Sequence, residues 1–107
     1  MEDLAADANP QVEVTTDEAG NAVVRLGGDL DISGVDVLEA HVAPVLERHP
    51  PKLIVDAAGL RFADSSAIAL WVQWAAAVDH FELHDPPPLL RRVIAGMGLT
   101  DRLAVET

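Results

Sequence analysis

Cysteine is absent from this chain of 107 residues. That removes a disulfide framework, thiolate metal sites and a cysteine nucleophile together, and it fits a reducing compartment. Basic residues are scarce: 7 Lys and Arg stand against 18 Asp and Glu, for a formal net charge of -11. Phosphate contacts need a basic footprint, so direct nucleic-acid binding is disfavoured. An anionic membrane surface is disfavoured for the same reason. A basic protein partner is compatible with this charge, and so is acidity that serves only solubility. No apolar run can span a bilayer. The longest, Ala67 to Val78, has twelve residues and is interrupted by Gln73, against about 20 needed. The start, Met1-Glu2-Asp3-Leu4-Ala5-Ala6-Asp7, is acidic, the wrong sign for a signal or transit peptide. A cytoplasmic protein with no membrane segment is therefore expected. Internal repeats and low-complexity tracts are missing too.

What is present is a chain that is 50% apolar, enough for one domain around one core. Residues 1–10 carry no apolar period and are expected to form a loose arm ahead of a domain over 11–107. Gln11 to Thr15 alternates polar and apolar, Asp17 to Asn21 is a turn cluster, and Ala22 to Leu26 is β-prone up to Gly27-Gly28, which together predict a hairpin. Gly28 to Ser33 reads as a loop, with Ser33 capping a helix and Asp36 three residues on. In that helix Val35, Leu38, Val42, Val45 and Leu46 share a stripe, and Pro44 predicts a kink or a frayed last turn because it removes a backbone N–H. Lys52 to Asp56 is a short central strand. The second helix is expected from Ser66 to Val78, with Ile68, Trp71, Val72, Ala75 and Val78 on one face. Leu70, Trp74 and Ala77 make its opposite face apolar too, so the helix is either buried on all sides or keeps a face for a partner.

Phe81 to His84 alternates as the last interior strand, and Asp85-Pro86-Pro87-Pro88 breaks it. Leu89 to Ala95 predicts a third helix with Leu90, Val93, Ile94 and Met97 inward and Arg91 and Arg92 outward, ended in a left-handed cap by Gly96 or Gly98. Leu103 to Val105 is an edge strand or a tail. The order β-β-α-β-α-β-α predicts an α/β domain. It has one mixed β-sheet, an N-terminal hairpin followed by parallel strands, packed with three main helices.

The residues with chemistry gather in Arg61-Phe62-Ala63-Asp64-Ser65-Ser66-Ala67, between a buried strand and an apolar helix. Ser65 and Ser66 therefore lie where a helix begins, near its free backbone N–H groups. From this context alone, a helix cap is the plainer role for the serines, and bonding of loop N–H groups the plainer role for Asp64. Asp29 and Asp31 either organise the loop after the second strand or touch a partner. As a metal pair they lack a third ligand at a telling spacing. His41, His49, His80 and His84 show no zinc-site spacing. A Ser-His-Asp set can be assembled on paper, but there is neither a nucleophile elbow nor an oxyanion donor set. There is also no phosphate-cradling glycine loop. No enzyme activity, metal or cofactor is expected.

Three separated motifs carry a resemblance. Gly28-Asp29-Leu30-Asp31 is similar to a G-E-L-D at the end of a second strand. Leu53-Ile54-Val55-Asp56 with Phe62-Ala63-Asp64-Ser65-Ser66 is similar to a strand and F-x-D-S-S/T-G loop. Pro88-Leu89-Leu90-Arg91-Arg92-Val93 through Gly98-Leu99 is similar to an S/P-x-V-R-R-L…G-L helix. In this order, from about Val12 to Val105, the chain resembles the STAS domain family, the anti-sigma-factor antagonists of bacteria and related domains of anion transporters.

The resemblance implies partner switching in the regulation of transcription. The unphosphorylated antagonist binds an anti-sigma factor that is also a serine kinase, and a sigma factor is released. The kinase phosphorylates the serine directly after the loop aspartate, and a separate phosphatase resets it. Carried over by motif position, the acceptor is Ser65, with Ser66 second. The implied partner surface is Asp29, Asp31, Asp64, Ser65, Ser66, Ala67, Leu70 and Trp74, on a monomer or weak dimer. Two other roles are compatible with such a domain: a constitutive interaction module of a sensory complex or lipid-transport assembly, docking through the Trp71 and Trp74 helix, and a nucleotide sensor. The chain departs from the family pattern at Ala67, where glycine is usual. It departs again at Gln73 to His80, which runs almost straight into Phe81 and leaves Leu70 and Trp74 expected to be open.

Overall fold

The computed structural model describes residues 11–106; the arm expected over 1–10 lies outside them. Strands β1 (Gln11–Thr16) and β2 (Ala22–Leu30) are followed by helix α1 (Ile32–Glu47), strand β3 (Leu53–Ala63) and helix α2 (Ser65–Ala77). Strand β4 (Phe81–His84), helix α3 (Pro88–Gly96) and strand β5 (Val105–Glu106) complete the chain. The sheet has the order β1-β2-β3-β4-β5, with β1 and β2 antiparallel and every later pair parallel. This is the mixed α/β sheet that the sequence predicts. The hairpin turn is made by Asp17. Its Oδ1 accepts from the backbone N–H groups of Ala19 and Asn21, both at 2.9 Å, and Gly20 supplies a φ of +86°.

The two faces of the sheet differ in chemistry because side chains alternate along each strand. Val24, Leu26, Leu53, Val55, Phe81 and Leu83 point into one core, which Leu38 and Val42 of α1, Ile68 and Trp71 of α2, and Leu90 and Ile94 of α3 also fill. The other face carries a ladder of charges. Arg25 lies 3.6 Å from Glu13 and 3.7 Å from Asp56, Lys52 lies 3.0 Å from Glu82, and His84 bridges Glu82 and Glu106 at 2.8 and 3.6 Å. The helices therefore cover one face, and the second meets solvent with opposite charges paired across strands.

The strands run further than local propensity indicates. β2 continues through Gly27-Gly28 to Leu30, and β3 continues past Asp56 to Ala63. The expected loop at Gly28–Ser33 is thus mostly strand. The two extensions hold each other: pairing resumes at Gly27↔Gly59 and reaches Leu30↔Ala63, with register shifts flanking the glycines. Gly28 has a φ of +76°, and a Cβ on Gly59 would meet the Leu26 carbonyl oxygen at 2.9 Å. Glycine is required there for close strand approach and a bulged register.

Helix ends account for the remaining differences. Asp31, not Ser33, caps α1; its Oδ1 accepts from the N–H groups of Ser33 at 3.0 Å and Gly34 at 3.2 Å. Ser33 sits inside the first turn because the helix starts at Ile32. Pro44 lies within α1, whose end tightens into bonds from Arg48 N to Val45 O and His49 N to Leu46 O, at 3.1 and 3.0 Å. α3 begins with Pro88 at its first turn, where a missing N–H is no loss. It ends in a Schellman motif, with Gly98 at φ +74° and bonds from Gly98 N to Ala95 O and Leu99 N to Ile94 O. Only Leu90 and Ile94 of α3 are buried. Val93 and Met97, expected inward, are 43% and 52% exposed, since a short helix at the sheet's end seats one narrow stripe.

Candidate functional site at the carboxyl ends of β2 and β3

Leu30 and Ala63 are register partners at the ends of parallel strands. The next residue in each chain segment is an aspartate, and each aspartate caps a helix. Asp31 caps α1, and Asp64 caps α2 by accepting from the Ser66 N–H at 3.0 Å. The Asp64 N–H also donates to Leu30 O at 3.2 Å, which ties the two junctions together. Two Asp-x-Ser turns (Asp31-Ile32-Ser33 and Asp64-Ser65-Ser66) thus sit side by side, with both helix N-termini at one edge. In parallel sheets this carboxyl edge is where ligands and partners are met. The helix dipoles make such an edge tolerant of negative charge, although the two cap aspartates already take the N–H groups of Ser33, Gly34 and Ser66.

The two serines, which sequence context leaves equivalent, are distinguished here. The Ser66 hydroxyl donates to Asp64 Oδ1 and is half-buried. Ser65 is exposed at the first helical position, and its hydroxyl has no hydrogen bond among the described residues. Neither serine is the cap, contrary to the plain reading, because the aspartate one residue earlier already occupies that position with the extended backbone a cap needs. Ser65 is therefore the hydroxyl open to chemistry.

Three carboxylates share the edge with it. The Asp31 carboxyl is held below the ordinary aspartate range, first by the Ser33 hydroxyl and then by the Gly34 and Ser33 N–H groups. It stays ionised at neutral pH. Asp29, half-buried at the end of β2, faces Arg61 of β3, with Nε to Oδ1 at 3.3 Å and Nη2 to Oδ2 at 3.3 Å. Asp64 completes the group. The edge therefore presents an exposed serine hydroxyl amid carboxylates, one of them matched by an arginine.

The structure corrects three members of the expected partner surface. Ala67, Leu70 and Trp74 are 0%, 5% and 3% exposed. α2 is apolar on both faces because α1 packs on one side of it and β3 and β4 on the other. The short connection to β4 does not uncover it. Trp71 is fully buried too, so a docking surface on the Trp71 and Trp74 helix is absent from this conformation. The Ala67 methyl points into the core and does not alter the surface a partner would meet. Asp29, Asp31, Asp64, Ser65 and Ser66 are brought together. Sequence reasoning gave no role to Phe62, which is 51% exposed beside this edge. A large apolar residue two positions before a helix cap was the signal available.

Residues 14–106 match the family described as Mlab, STAS domain, and the chain belongs to that family. No curated protein matches the sequence. Among solved structures, an anti-sigma factor antagonist from Mycobacterium paratuberculosis is similar with a TM-score of 0.85 at 20% identity, covering 92% of this chain and 86% of that one. The anti-sigma factor antagonist SpoIIAA in its unphosphorylated form is similar with a TM-score of 0.78 at 22% identity, over 91% of this chain and 89% of that one. The Bacillus cell fate determinant SpoIIAA in the phosphorylated form gives 0.72 at 22%, over 91% and 92%. At these identities the likeness concerns the fold. Among the described residues no helix is long and apolar enough to cross a membrane.

Proposed function

We propose that this STAS domain is an anti-sigma-factor antagonist, a non-enzymatic protein that docks on an anti-sigma factor with serine-kinase activity and is released when Ser65 is phosphorylated. The observation that carries this reading is Ser65 itself: exposed, at the first turn of α2, with its hydroxyl unengaged while Ser66 is tied to Asp64. A phosphate adds roughly -1.5 to -2 charges at neutral pH. The helix N-terminus accommodates that charge within the fold. The same charge, added beside Asp29, Asp31 and Asp64, repels an acidic or desolvated partner surface. Docking is thus abolished while the domain stays folded. The likeness of this chain to solved structures of SpoIIAA in both its phosphorylated and unphosphorylated forms supports a switch that needs no refolding. A phosphatase resets the cycle, and the freed anti-sigma factor again holds its sigma factor.

The test is to incubate the protein with candidate anti-sigma kinases and ATP, then map phosphate by mass spectrometry. Phosphate on Ser65, lost in Ser65→Ala, is the expected result. Phosphate on neither serine with any candidate kinase would end the switching claim. Equal partner binding by Ser65→Ala and Ser65→Asp would point to a constitutive docking module instead.

A further inference from the structure

The helix-free face of the sheet carries one cluster that differs from the rest of its ladder. Glu82 and His84 are alternate residues of β4 and so point to the same side. Glu106 of β5 is the register partner of His84. His84 Nε2 lies 2.8 Å from Glu82 Oε1 and 3.6 Å from Glu106 Oε1. One ligand atom from each of the three residues lies within 4.8 Å of the other two. Among the described residues no other three histidine, aspartate or glutamate side chains converge in this way. Spacing along the chain gives no sign of the cluster, because Glu106 arrives only through the parallel pairing of β4 and β5.

The charges of the cluster do not balance. Arg25 serves Glu13 and Asp56, and Lys52 serves Glu82. Among the described residues Glu106 meets His84 alone, and a histidine is a cation only when protonated. With a neutral ring, the two glutamates flank it with Lys52 as their single counter-charge. The Lys52 ammonium lies 3.0 Å from Glu82 Oε2, which leaves Oε1 turned to His84. A carboxylate held from behind in this way is oriented as metal ligands are. The distances also suit a particular ion. Zinc bonds of about 2.0–2.2 Å set neighbouring ligand atoms of a tetrahedron about 3.3–3.6 Å apart, close to the 2.8 and 3.6 Å at Nε2. Calcium and magnesium prefer six or more oxygen ligands, whereas imidazole with carboxylates suits zinc.

We propose that Glu82 Oε1, His84 Nε2 and Glu106 Oε1 bind a zinc ion on the open face of the sheet, with water in the fourth position. Coordination moves the ring proton to Nδ1, so a neutral His84 loses none. β5 has two residues and pairs with β4 alone. An ion held by side chains of both strands therefore clips β5 to the sheet. The site uses no residue of the Ser65 edge, so it stands or falls separately from the docking reading.

The test titrates zinc chloride into the isotope-labelled full chain, first stripped of metal by a chelator. Excess magnesium in the buffer occupies weak acidic sites. Calorimetry should count one zinc per chain, and NMR should show saturable shifts of the His84 ring and the Glu106 amide. The melting temperature should rise by about 5 °C at a zinc concentration about ten times Kd. His84→Ala should abolish this binding, and Glu106→Gln should weaken it by about tenfold or more. Circular dichroism verifies that each variant is folded, and Glu106→Gln, at an exposed position, decides the case if His84→Ala is not. The proposal is overturned if no saturable shift appears at His84, if the shifts fall on His41, His49 or His80 instead, or if the folded variants bind zinc as wild type does. The cluster is then an ordinary ion network.

Discussion

Asp64 accepts the Ser66 N–H at the start of α2, while Ser65 keeps its hydroxyl in solvent. The two neighbours should therefore respond differently to substitution. Asp64→Ala removes the cap and is expected to cost about 1 kcal/mol, read by chemical denaturation. Ser65→Ala should cost less than about 0.5 kcal/mol, as exposed surface changes do. Ser65→Asp should lose the partner with little change in melting temperature, because an anion suits the helix N-terminus. If Ser65→Asp unfolds the domain, the serine is structural and not a switch. Asp31 carries a pH dependence. Its folded pKa is depressed below the ordinary 3.8 by the Ser33 hydroxyl and backbone N–H groups, and that of Asp17 by the Asn21 N–H. A depressed carboxylate contributes stability that is present above its unfolded pKa and lost as pH falls through its folded one. Stability should thus fall as pH drops below about 4, and Asp31→Asn should flatten that fall. Titrating denaturation midpoints from pH 5 downward checks it.

Among the elements, α2 and the paired ends of β2 and β3 do most to place the site. α2 is buried on both faces, so Trp74→Ala should destabilise the domain by about 3–5 kcal/mol. Any binding defect in that variant should follow the loss of folded protein, as circular dichroism and binding measured on the same sample would reveal. A stable Trp74→Ala that fails only in binding would restore the helix as a docking face. At Gly59 a methyl would meet the Leu26 carbonyl, which is backbone and cannot rotate away. Gly59→Ala is expected to cost about 1–3 kcal/mol and to weaken partner binding as well, because Asp31 and Asp64 hang from those strand ends. The helices, the hairpin and the succession of elements along the chain were legible from periodicity and turn residues, whereas the order of strands within the sheet came from the structure. The strand extensions were not legible, because Gly27, Gly28 and Gly59 are poor strand formers alone and pair only across the sheet.

The whole molecule combines a net charge of -11 with a solvated sheet face of paired charges. The pairs are exposed enough to contribute little individually, about 0–1 kcal/mol each. Self-repulsion of the excess acid opposes compactness across the entire surface. Added salt screens both, and repulsion should dominate. The melting temperature is expected to rise with sodium chloride; a fall would mean that the ladder outweighs the net charge.

The sequence by itself determined the α/β order, the sheet's mixed sense, the family motifs and the position of the Asp64-Ser65-Ser66 turn. These depend on local periodicity, on turn chemistry and on residues adjacent in the chain. Only the tertiary structure decided which serine is free, since that rests on a hydrogen bond from Ser66 to Asp64. It alone closed the second face of α2, which needed α1 to cover it, and left Phe62 and Leu89 in solvent. An apolar pattern states that a side chain would gain from burial. Whether another element arrives to bury it is a property of how the elements pack, and no stretch of sequence contains that.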